Sequence, residues 1–143
     1  MSQDEKVVAQ QPKNVFDVFE TDEKLENNGV VFDCGFGKFK LAYVGNPEFQ
    51  KAYAEAMKPY AEASARGLLD GNIQLRVLRE VYAKTIIKGW SEVYGRDGEE
   101  IPYSYENALK LTEELPRLFG MIREWAGNFA NYRKIYADTV VGN

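Results

Sequence analysis

The chain has 143 residues, 45% of them apolar and 13% aromatic, with a formal net charge of -4, and a chain of this size can bury a core of its own without disulfides or metals as staples. It contains no histidine and a single cysteine, Cys34, which excludes histidine-based acid–base catalysis, Ser-His-Asp and Cys-His nucleophiles, imidazole metal sites and an intramolecular disulfide. No basic-then-apolar leader and no long apolar run occurs, so neither secretion nor membrane spanning is expected and the cytosol is the simplest compartment.

The whole net charge lies in Met1–Glu26, where Asp4, Glu5, Asp17, Glu20, Asp22, Glu23 and Glu26 oppose only Lys6, Lys13 and Lys24. A neutral body with an acidic arm repels a phosphate backbone, so nucleic acid is not an expected partner. Residues 1–13 are polar and without periodicity and read as a flexible acidic leader. Val15, Phe16, Val18 and Phe19 then form a small apolar cluster. It suits a first strand, a short helix or a docking peptide, and an arm folded back on its own core is preferred to a partner-binding peptide.

A hairpin is expected over residues 29–44. Val30, Val31 and Phe32 lead into Asp33-Cys34-Gly35-Phe36-Gly37, and the return has Phe39, Leu41 and Tyr43 alternating with Lys38, Lys40 and Ala42. That period of two marks a half-buried strand, and the glycines allow the turn.

Asn46-Pro47-Glu48 is a helix start, with an N-cap, a proline at the first helical position and an acid near the positive dipole end. The helix should run past Tyr60 toward Ala65, bent by Pro59, with Phe49, Ala52, Tyr53, Ala56, Met57 and Tyr60 in one stripe. Arg66-Gly67 and Asp70-Gly71 end it and cap the next. From Asn72 to Val93 the strongest amphipathic pattern places Leu78, Tyr82, Thr85, Ile86, Gly89, Trp90 and Val93 on one side, which predicts a core helix with Gly89 at a close crossing or bend.

Gly95-Arg96-Asp97-Gly98 is turn chemistry, Ser104 an N-cap with Glu106 in the following turn, and Pro116 a boundary. A last helix over residues 116–136 carries Leu118, Ile122, Trp125, Phe129, Tyr132 and Tyr136 at steps of four and three, a coiled-coil-like seam. Gly120 and Gly127, seven apart, share a face that another backbone can approach. Packing within the subunit is the default for this stripe, and a subunit interface is the other reading. Residues 137–143 read as a frayed tail.

No cofactor or metal site is legible. Asp97-Gly98-Glu99-Glu100 lacks the alternating acids of a calcium loop, Gly35-Phe36-Gly37 lacks the lysine and helix of a phosphate loop, and Cys34 lacks a cationic neighbour that would activate it. By itself the sequence describes a non-enzymatic interaction protein. The fold expected is mainly α (α+β), about four helices with a small N-terminal antiparallel β-hairpin, in a single domain over residues 14–136.

Trp90, Asp97-Gly98, Ile101-Pro102-Tyr103-Ser104, Glu106-Asn107-Ala108-Leu109 and Leu115-Pro116-Arg117-Leu118-Phe119, preceded by Gly45-Asn46-Pro47-Glu48-Phe49 and Lys58-Pro59, resemble the tail assembly chaperones of long-tailed bacteriophages. The resemblance spans Gly29 to Arg133 and rests on turn and core residues. It implies a protein that coats the tape measure protein, keeps it soluble, promotes assembly of the tail tube protein, forms homo-oligomers in the host cytoplasm and is absent from the mature virion. It also implies the shorter product of a programmed frameshift. In such a role the final seam supplies one wall of a helix-binding groove, which makes Gly120, Gly127, Trp125, Phe129 and Tyr132 the candidate partner-binding residues. The alternative is a minor virion structural protein, a head–tail connector or tail-completion subunit.

Overall fold

The computed structural model describes residues 11–134. The expected leader falls largely outside this range, and the expected tail and Tyr136 entirely outside it.

Two short helices open the described chain: α1 (Val15–Phe19), capped by the Asn14 side chain, and α2 (Glu23–Asn28), capped by Asp22. The apolar cluster of the acidic arm is therefore a short helix. Gly29, at φ 102, then turns the chain into the sheet.

Strands β1 (Val30–Asp33) and β2 (Lys38–Leu41) form the expected hairpin, with Phe32 opposite Phe39 and Val30 opposite Leu41. Two helices precede it, so it is not the N-terminal element. A third strand, β3 (Ile87–Ser91), joins from mid-chain, giving an antiparallel sheet of order β1-β2-β3. The register of β2 and β3 slips between Lys40 and Leu41, which pair with Gly89 and Ile87. Lys88 is the extra residue of this bulge, and its ammonium meets Glu48 at 2.8 Å.

β3 corrects the reading of one helix from Asn72 to Val93. Helix α5 (Gly71–Val81) starts under Asp70, whose side chain accepts from the Asn72 N–H, and passes through a π-helical turn (Tyr82–Ile86) straight into the strand. Ile86 and Ile87 are both buried, so consecutive side chains enter the core as the chain changes from helix to strand. Thr85, β-branched like them, bonds the Val81 carbonyl at 2.8 Å. Gly89 is thus a strand residue, and a Cβ built there meets nothing within 4 Å.

Helix α3 (Pro47–Met57) is capped by Asn46, which accepts from the Phe49 N–H at 3.0 Å. It gives way at Pro59 to a 3-10 turn (Lys58–Tyr60) before α4 (Ala61–Ala65). Helix α6 (Tyr105–Glu114) starts at Ser104, which accepts from the Asn107 N–H, and α7 (Pro116–Ala126) follows with Pro116 in its first turn. The described residues hold more helices than the four expected, because the arm adds two and Pro59 divides one, while the π-turn only shortens the helix before β3.

The core lies between the sheet and the helices. Phe39, Leu41, Val81, Ile86, Ile87, Phe119 and Ile122 are buried together. Tyr82 is edge-on to both Phe49 and Phe119, with ring centroids 5.3 Å apart in each case, and so joins α3, the π-turn and α7. Burial pushes its phenol up to about 12, with Arg123 opposing.

Candidate partner-binding surface

The expected final helix stops ten residues early. α7 ends at Ala126, Gly127 takes the C-cap, and Asn128 caps a 3-10 turn (Phe129–Tyr132) by accepting from the Ala130 N–H at 3.0 Å. The seam drawn through Leu118, Ile122, Trp125, Phe129 and Tyr132 is therefore not one helix face, and the five candidate residues go to different places.

Tyr132 turns inward and is fully buried. Its hydroxyl donates to the Leu41 carbonyl at 3.0 Å, its ring lies 5.2 Å from Tyr43 and 5.6 Å from Trp125, and burial raises its pKa. It holds the turn to the sheet from beneath. Trp125 is half-buried and stacks on Phe32 of β1 at 5.4 Å. Gly120 lies inside α7, and a Cβ there meets nothing within 4 Å, so no other helix among the described residues packs against it. Gly127 is exposed, and its Cβ would lie 3.1 Å from the Arg123 carbonyl.

Phe129 leads to a surface the spacing did not reveal. Its ring stacks on Phe19 at 5.6 Å, so the acidic arm docks on the 3-10 turn. Backbone and side-chain bonds fasten it: Asp22 N–H to the Tyr132 carbonyl at 2.9 Å, Lys134 N–H to the Glu20 carbonyl at 3.0 Å, and Arg133 Nε to the Val18 carbonyl at 3.0 Å. Even so, Val15, Phe16 and Phe19 are 64%, 71% and 65% exposed. Three large apolar side chains on five residues, braced from behind by Phe129, form an apolar knuckle at the junction of the first and last described segments. Its signal in the sequence was the cluster itself; which side would face solvent depended on the turn at Gly127.

A cleft of 670 Å³ opens on the other side of the same turn, between β1 and α7, lined by Phe32, Met121, Glu124, Trp125, Gly127, Asn128 and Asn131. Trp125 and Gly127 thus share one cleft, and Phe129 belongs to the knuckle. Among the described residues no group of three His, Cys, Asp or Glu side chains could hold a metal, and no helix is long and apolar enough to cross a membrane.

The chain matches no curated protein and no solved structure. Residues 44–143, from the end of the hairpin onward, match the family described as YdaY prophage protein. The match takes in α3 to α7 and the turn that carries the knuckle's brace, and it agrees with the phage origin that the resemblance implied. With most of its length covered by that match, the chain belongs to the YdaY prophage protein family.

Proposed function

We propose that this protein is a non-catalytic assembly chaperone of phage tail morphogenesis, which binds the tape measure protein, keeps it soluble and promotes building of the tail tube. The carrying observation is the knuckle of Val15, Phe16 and Phe19, exposed yet fastened to the body through Phe129. An apolar helix of a partner can cover such a patch, and its fixed backbone lowers the ordering cost of binding. Family membership supplies the phage setting, and the missing histidine fits a role without chemistry. The protein then acts in the host cytoplasm and does not remain in the particle.

Co-expression with the tape measure protein of the same prophage tests this reading. The tape measure protein should be soluble with the parent chain and co-purify with it. With Phe16→Ser and Phe19→Ser together it should become insoluble, while the chaperone keeps its far-ultraviolet circular dichroism. Equal solubility with and without this protein would reject the reading. Mass spectrometry of purified particles should not find the chain; its presence there would favour a head–tail connector or tail-completion subunit.

A further inference from the structure

The two edges of the sheet end differently. Beyond β3 the following loop closes the edge: the Ile101 N–H donates to the Val93 carbonyl at 2.8 Å, Tyr94 pairs with Glu100, and the Tyr103 hydroxyl donates to the Ile87 carbonyl at 2.6 Å. Beyond β1, no strand or other backbone of the described residues pairs with the sheet. The ladder fixes which groups this leaves open. The Cys34 N–H donates to the Gly37 carbonyl at 3.0 Å, and bonded pairs alternate along an antiparallel ladder, so Phe32 with Phe39 and Val30 with Leu41 are the next bonded pairs. Val31 and Asp33 therefore turn their N–H and carbonyl groups away from β2. The same parity sends Ala42 toward β3, where its N–H does donate to the Ile86 carbonyl at 2.8 Å. No proline, lysine or bulge guards the open edge, and Val31 is 55% exposed on it.

Phe32 belongs both to this strand and to the 670 Å³ cleft between β1 and α7, where it stacks on Trp125 near the exposed Met121. A chain laid along β1 as a further strand sends its side chains alternately to the two faces of the sheet. Every second one enters beside Phe32, Trp125 and Met121, and those between lie beside Val31 and Asp33. Backbone bonds then give affinity and the cleft gives selectivity. Charge narrows the guest further. Asp33 is the charged residue of β1 and Glu124 that of the cleft lining, and both are acids. Lys38, across from Asp33, is held by Glu92 at 2.8 Å.

We propose that the β1 edge and the adjoining cleft bind an extended segment of another protein, apolar at alternate residues and carrying lysine or arginine between them, as an added strand of the sheet. A cation opposite Asp33 and a second near Glu124 offset the two acids, and an apolar side chain beside Phe32 fills the cleft. A helix keeps its backbone bonds to itself and cannot serve the open groups of Val31 and Asp33. An acidic strand would meet two like charges. The inference does not rest on the tail-assembly reading, because surface and backbone conformation both differ from those of a helix bound at the knuckle.

Amide hydrogen exchange of the full chain, read residue by residue by NMR, tests this with a short synthetic peptide that alternates lysine with valine or phenylalanine. In the free protein the N–H groups of Val31 and Asp33 should exchange fast, and those of Val30 and Phe32 slowly. At a peptide concentration about ten times its Kd, exchange at Val31 and Asp33 should slow about tenfold, with Val30 and Phe32 unchanged. Neither a peptide of the same side chains with methylated backbone nitrogens nor one with glutamate for lysine should bind. Glu124→Lys should weaken binding of the lysine peptide and leave the melting temperature unchanged. Slow exchange at Val31 and Asp33 in the free chain overturns the proposal, because another copy or the chain's own remaining residues would then hold the edge. Binding that survives backbone methylation overturns it as well, since the contact would run through side chains alone. So does a lysine peptide that leaves exchange at Val31 and Asp33 unchanged at millimolar concentration.

Discussion

The hydroxyl of Tyr132 donates to the backbone carbonyl of Leu41, 91 residues earlier in the chain, at 3.0 Å, and both residues are fully buried. This one bond ties the last turn to the central strand. The Asp22 N–H donates to the Tyr132 carbonyl, so the acidic arm hangs on the same residue. Tyr132→Phe should cost about 1 kcal/mol in urea unfolding through the lost hydrogen bond, whereas Tyr132→Ala should cost about 3–5 kcal/mol because a cavity opens beneath Trp125. If the phenylalanine variant were as costly as alanine, the hydroxyl and not the ring would be the anchor.

Alkaline pH should unfasten the same region. Tyr82 titrates near 12 in the fold because burial disfavours the phenolate, and burial raises Tyr132 in the same direction. A tyrosine in the unfolded chain titrates near 10, so the unfolded state releases its proton first. The stabilisation is fully present below about pH 10 and falls by about 1.4 kcal/mol per pH unit for each such tyrosine, until it is gone above the folded pKa. Urea midpoints at pH 9, 10, 11 and 12 should be flat at first and then decline. Tyr82→Phe should flatten part of the decline, and an unchanged slope would mean that other groups dominate.

Much of the fold was legible because it is written in local chemistry. Asn46-Pro47, Asp70-Gly71 and Ser104 each cap the helix they announced, since a side-chain oxygen two or three residues from an unpaired N–H needs no tertiary context. The hairpin was equally local. The errors came where two periods overlap. Leu78, Tyr82, Thr85, Ile86 and Gly89 continue a helical spacing into β3, and only the β-branched run Thr85-Ile86-Ile87 with Gly89 hinted at the change. At the C-terminal end, the Gly127-Asn128 pair is a stop signal that the aromatic spacing across it outweighed. The knuckle and the cleft both follow from that turn, which sends Trp125 and Gly127 to the cleft, Phe129 to the knuckle and Tyr132 to the core, where spacing had put them on one face.

Two glycines test the packing from opposite directions. Gly120→Ala should raise stability by about 0.5–1 kcal/mol, since alanine is the better helix former and a Cβ there meets nothing within 4 Å. Gly37→Ala should lower it by about 1–3 kcal/mol through overpacking, because its Cβ would lie 2.8 Å from Val93 and 3.1 Å from Phe39, both buried. Thermal unfolding of the two variants checks the contrast. A destabilised Gly120→Ala would point to a neighbour packed at that face.

Trp90 separates the strand from the helix it replaced. On a continuous helix it would lie with Tyr82 and Val93 and pack toward α3; on β3 it faces Phe39 at 5.8 Å and Tyr103 at 5.3 Å, edge-on to each. Its indole N–H donates to the Ile101 carbonyl at 2.7 Å, and the Tyr103 hydroxyl donates to the Ile87 carbonyl at 2.6 Å. Strand and following loop are thus cross-linked by two aromatic donors. Trp90→Phe keeps an aromatic ring but loses the donor and the second ring of the indole, and should cost about 1 kcal/mol for the bond and more for the volume removed, while Trp90→Ala should approach the roughly 3–5 kcal/mol of a truncated core aromatic. A double-mutant cycle of Trp90→Phe with Tyr103→Phe should show coupling of about 0.5 kcal/mol or more, because the rings touch and the two bonds brace one loop. The same cycle run with Phe49, on α3, should give none. Coupling to Phe49 instead of Tyr103 would restore the helix and remove β3 from the sheet.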